Sequence, residues 1–113
     1  MAPLPQFMIM VYEREVPESS TAAPPTVLEA HMHLPGQIAE IGGRIISGHA
    51  LRPAATAVSI RDNTRSAGTL VESPQTFAGY FIVEASDLDH AVWIARLIPV
   101  TDGWVEVRPL LTV

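Results

Sequence analysis

Phe7-Met8-Ile9-Met10-Val11-Tyr12 (FMIMVY) and Ala78-Gly79-Tyr80-Phe81-Ile82-Val83-Glu84-Ala85 (AGYFIVEA) decide the fold. Each is a short, nearly continuous apolar run of strand length. Side chains alternate across a strand, so Phe7, Ile9 and Val11 share one face and Met8, Met10 and Tyr12 the other. In the second run Tyr80 and Ile82 oppose Phe81 and Val83. Strands that are apolar on both faces belong at the centre of a sheet.

The flanking segments supply the remaining elements. Residues 13–25 (EREVPESSTAAPP) are polar and proline-rich and read as a loop, mobile over 17–25. Thr26-Val27-Leu28-Glu29 has the form of a capping box, with Thr26 as N-cap. Val27, His31, Leu34, Ile38 and Ile41 then recur at helical spacing as one apolar stripe, and Gly42-Gly43 ends the helix. Pro35 lies inside it, which predicts a kink or short break within Leu34–Gln37. Arg44–Leu51 reads as a strand. Ala55–Arg61 and Gly68–Glu72 read as a hairpin with a loose turn at Asp62-Asn63-Thr64. Ser86 is placed to cap a second helix, with Asp87 and Asp89 in its first turn and a buried stripe of Leu88, Ala91, Val92, Ala95 and Ile98. Pro99 ends that helix, and Trp104–Leu111 forms the last strand.

The order is β-α-β, an inserted hairpin, then β-α-β, within a single domain spanning residues 1–113. This is the α+β, ferredoxin-like split β-α-β arrangement, which puts the two apolar runs at the sheet centre. The outer strands are more polar, with Glu106 and Arg108 in one and Ser47 and His49 in the other. Two helices cover one face of such a sheet. The simplest cover for the other is a second copy of the chain, so a face-to-face homodimer is expected.

Composition excludes several chemistries. The chain has 113 residues and no cysteine, so it has no disulfide framework, thiolate metal site or cysteine nucleophile. All seven basic residues are arginine, which removes Schiff-base lysine chemistry and a P-loop lysine. The net charge of −5 disfavours nucleic acid, whose binding depends on phosphate neutralisation. Met1–Gln6 carries no positively charged leader, and FMIMVY is far below the ~20 residues of a membrane span. A cytoplasmic protein without a membrane partner is therefore expected. No Gly-x-Ser-x-Gly elbow or dinucleotide fingerprint is present, and no cofactor is assigned.

The sequence resembles the YCII-related family, whose larger branch is named for an Asp-Gly-Pro-Phe motif. The resemblance runs from about Phe7 to Leu110. It rests on FMIMVY, on Gly43-Arg44-Ile45-Ile46-Ser47-Gly48-His49-Ala50-Leu51-Arg52-Pro53, on the Gly79–Ala91 stretch and on Val105-Glu106-Val107-Arg108-Pro109-Leu110. It implies a dimeric α/β barrel. The name motif falls at Glu72-Ser73-Pro74-Gln75, where only the proline is kept. The narrower branch of the family carries a helix histidine and a later aspartate, proposed as an acid–base pair. His31 matches that histidine, seventeen residues before Gly48, whereas Ile98 occupies the aspartate position.

His31 is the leading candidate for a general acid or base, or for a ligand contact, because the stripe makes it at least partly buried. The plainer reading is a packed histidine bonded to a backbone carbonyl. His49 is the second candidate. Eleven residues separate Gly42 from His31, ~16 Å of helix, and the strand from Arg44 climbs to that height near His49. Alternation groups Ile45, Ser47, His49 and Leu51, without saying whether that face meets the helix; the plainer reading is a solvated histidine. His31 and His33 point about 200° apart on a helix, so they do not share a metal, and no metal site is assigned. His90 reads as an exposed residue. Tyr12, Arg52 and Trp104 are candidates to line a ligand cavity, and equally for rim packing. Asp102 or a carboxylate of a second copy is the candidate to orient His31.

The expected function is a homodimer that holds a small organic ligand, with room for a weak His-dependent lyase- or isomerase-like activity. The alternatives are a non-catalytic ligand-sensing or regulatory dimer and a purely structural dimer. An acid beside His31 favours the enzyme.

Overall fold

The computed structural model describes residues 4–15 and 25–111, and side chains within these ranges except those of 25–29. The side chains of the Thr26–Glu29 capping box, and residues 17–24 of the expected loop, therefore lie outside what is described. The elements are β1 (Gln6–Arg14), α1 (Pro25–Glu40), β2 (Arg44–Ala50), a 3-10 turn (Ala54–Thr56), β3 (Val58–Arg61), β4 (Thr64–Ala67), β5 (Gln75–Glu84), α2 (Leu88–Ala95) and β6 (Gly103–Pro109).

The fold is α+β. Four strands form one antiparallel sheet in the order β2-β5-β1-β6, and β3 and β4 form a separate hairpin. The two doubly apolar strands are thus central, an order compatible with the ferredoxin-like class. Among the described residues, no helix is long and apolar enough to cross a membrane.

Register defines what each face carries, because directly paired residues of an antiparallel sheet project to the same side. On the face under the helices, Phe7 pairs with Val83 and Pro109, Ile9 with Phe81 and Val107, and Val11 with Gly79 and Val105. Phe7, Ile9, Val11 and Val83 are buried there against Leu34 and Ile38 of α1 and Ala91, Ile94 and Ala95 of α2. On the open face Met8 pairs with Ile82, Met10 with Tyr80 and Tyr12 with both Phe77 and Trp104. Met8, Met10, Tyr12, Tyr80 and Ile82 are only half-buried. The molecule is 18 Å through its thinnest dimension, the depth of one sheet plus one layer of helices.

Several local expectations are corrected. Of the kink or short break expected within Leu34–Gln37, the break does not occur: Pro35 lies inside one continuous helix. Proline removes one helical hydrogen bond, so the His31 carbonyl lacks its i+4 donor, but the remaining bonds carry the helix through. The chain turns out of α1 at Gly42, at φ +84°, where the amides of Gly42 and Gly43 bond the carbonyls of Ala39 and Ile38, as the Gly42-Gly43 stop predicts. The hairpin turn is tight rather than loose. Asp62 and Asn63 both take positive φ, 50° and 63°, so the second arm starts at Thr64 and not at Gly68. The cap of α2 is Asp87, whose carboxylate accepts the His90 amide at 2.8 Å, and not Ser86. Leu88, the first residue of α2, is exposed, and Ile94 takes a buried place instead.

Candidate functional site

A cavity of about 320 Å³ opens on the helix side of the sheet, near the lower end of the ~300–1,000 Å³ range of small-molecule sites. His31, Glu13, Val11, Phe81, Ile98 and Pro99 contribute to its wall, together with Gly48, His49, Ala50 and Ala78–Tyr80. Its origin is a shortage of side-chain volume. Where β2 and β5 run under the first half of α1, their covered face offers Gly48, Ala50 and Gly79 in place of large residues. A Cβ on Gly79 would stand 2.6 Å from the His49 carbonyl oxygen, so this close approach of strands requires glycine.

His31 lies one turn before the buried Leu34 and is exposed, which corrects the expectation of burial. Leu34 and Ile38 of the stripe are buried against the sheet, whereas His31, one turn earlier, is not. His31 forms part of the cavity wall.

Glu13 is the acid that shares this cavity. β1 runs to Arg14, so Glu13 continues the Phe7, Ile9, Val11 alternation onto the covered face. Its Oε2 accepts the Thr101 amide at 3.0 Å, which fixes the carboxylate between β1 and the loop before β6. Ending the strand at Tyr12 hid this residue. The period-2 pattern, carried one step further, is the signal that finds it.

The other candidates fall in three places. His49 is part of the cavity wall, yet its ring packs on Tyr80 with centroids 5.7 Å apart. A bulge at Ile46 explains this: Ile45 pairs with Val83 on the covered face, while Ser47 and His49 pair with Ile82 and Tyr80 on the open one. The simple alternation that grouped Ile45 with His49 is therefore corrected. Arg52 belongs to an adjoining cavity of about 260 Å³ that shares Glu13, Ala50 and Ala78 with the first. Tyr12 and Trp104 stack on the open face, 5.4 Å apart and 15° from parallel, with Phe77 also 5.4 Å from Tyr12. These rings border a groove reaching to Ile60, Leu70 and Val71 near the hairpin. Asp102 is engaged elsewhere, bonded to Arg14 Nε at 2.6 Å.

A wider surface groove of about 610 Å³ lies beside α2. Its histidine, His90, is half-buried rather than exposed, and both ring nitrogens are occupied by Ser86 and Ile41. Among the described residues, no three His, Cys, Asp or Glu side chains cluster as metal ligands. The cavity between α1 and the sheet is thus the place where a histidine and a carboxylate meet apolar walls, an arrangement able to bind a small molecule and move a proton on it.

A scan against protein-family models finds no match to this chain, and a search of curated proteins finds none.

Proposed function

We propose that this protein is a YCII-related small-ligand-binding domain acting in the cytoplasm as a homodimer, its two sheets meeting face to face as a dimeric α/β barrel. The observation that carries the ligand reading is the convergence of His31 and Glu13 on one cavity of about 320 Å³. The carboxylate takes the part that Ile98, at the position expected for an acid, is unable to play. With two proton-handling groups at one mouth, an acid–base activity is favoured over a purely structural role.

The dimer reading is supported by the open face. Met8, Met10, Tyr80 and Ile82 remain half-buried there without a covering layer, and Phe77 and Trp104 are 38% and 47% exposed. A second sheet supplies the missing layer.

The experiment is His31→Asn, with small-molecule binding and thermal stability measured side by side. Because His31 is exposed, the substitution should change stability by less than about 0.5 kcal/mol. Binding should fall while the fold stays intact. Unchanged binding, or a loss of stability large enough to account for the lost binding, removes His31 from the site.

A further inference from the structure

We infer that the ligand of this cavity is a small protonated amine on an apolar body, and that Glu13 is the group that recognises its charge. The inference rests on the reading of the cavity as a ligand site.

Glu13 is half-buried, and its carboxylate bonds a neutral donor, the Thr101 amide. Among the described residues the two ion pairs are Arg14–Asp102 and Arg44–Glu84, and neither involves Glu13. Arg52 lines the adjoining cavity but is not within ion-pair distance of this carboxylate. No arginine contributes to the wall of the His31 cavity, and the chain has no lysine. A half-buried carboxylate with no ion-pair partner is open to a cationic ligand, which supplies the opposite charge at hydrogen-bond distance.

The rest of the wall sets the body of the ligand. Val11, Phe81, Ile98 and Pro99 are apolar, and the small volume limits the occupant to about one ring with a short arm. Phe81 gives an aromatic edge or face for that ring. The net charge of −5 attracts a cation and repels an anion from the same mouth. An anionic ligand of equal size meets Glu13 with no arginine or lysine in the wall to offset it.

Benzylamine, benzyl alcohol and benzoate share one ring and differ in charge, so they form the test. Binding is followed at pH 7 by the backbone amide shifts of Gly48 and Gly79, which mark the cavity floor, in the wild type and in Glu13→Gln. The glutamine keeps an acceptor for the Thr101 amide, so the fold is retained. Benzylamine should bind about tenfold or more tightly than benzyl alcohol, with benzoate weakest, and Glu13→Gln should abolish the preference. Benzoate or benzyl alcohol binding as tightly as benzylamine in the wild type, with shifts at both glycines, overturns the amine assignment and leaves the cavity reading standing. Equal preference for the amine in Glu13→Gln removes Glu13 as its recogniser. If none of the three probes moves either glycine amide at millimolar concentration, the amine assignment and the ligand site fall together.

Discussion

His90 holds the carbonyl of Ile41 at 2.6 Å, tying the first turn of α2 to the residue that follows α1. The Ser86 amide donates to His90 Nδ1 at 2.9 Å. An amide only donates, so Nδ1 carries the lone pair and Nε2 carries the hydrogen that Ile41 accepts. One neutral imidazole thus pins both helices at the same end of the sheet.

Replacing that ring with alanine leaves the Ile41 carbonyl and the Ser86 amide without partners. His90→Ala should cost about 1–2 kcal/mol, read as a drop of several degrees in the thermal midpoint. A midpoint unchanged within one degree would falsify the latch.

Two glycines should respond in opposite senses to alanine. A Cβ at Gly79 meets the β2 backbone, so Gly79→Ala should destabilise by about 1–3 kcal/mol. Gly36 lies inside α1 with nothing within 4 Å of its added Cβ. Gly36→Ala should therefore stabilise by about 0.5–1 kcal/mol. Denaturant titration of both variants decides the matter, and the same sign for both contradicts this difference in packing.

Cap assignment is testable in the same way. Asp87→Ala removes the acceptor of the His90 amide and should cost about 1 kcal/mol, while Ser86→Ala should stay within about 0.5 kcal/mol. A larger loss for the serine would return the cap to Ser86.

The dimer is tested by mass in solution. Light scattering at micromolar concentration should give about twice the 12.2 kDa of one chain. Ile82→Asp, on the open face beside Met8, should shift the protein toward the single-chain mass without disturbing the buried face. A wild type that stays at the single-chain mass refutes the pairing of open sheet faces.

How far the sequence could be read follows from what each pattern encodes. The central position of β1 and β5 was legible because apolar residues on both faces have one comfortable place in a sheet. Helical spacing gave the direction of His31 but not its depth, since the pattern does not say where a helix overruns its sheet. The face of His49 was hidden by the bulge at Ile46, an extra residue with no signature in RIISGHA. Glu13 was missed because its charge resembled a loop, although its position kept the strand's alternation. Asp87 and Ser86 are both good caps, and only the carboxylate's reach to the His90 amide separates them.

The strand order also governs how the chain assembles as it is made. β1 pairs only with β5 and β6, and β2 pairs only with β5. Gln6 waits for Glu84 and Phe7 for Pro109, so the sheet has no internal pairing until Gln75 onward has been synthesised. Up to that point the nascent chain has only α1 and the small β3–β4 hairpin to form, with both faces of FMIMVY unpaired. Closing loops of this length before any sheet contact is gained makes assembly slow and leaves an apolar ribbon exposed to other chains. β5 is thus the keystone of assembly, and its arrival turns two idle strands into a sheet in one step.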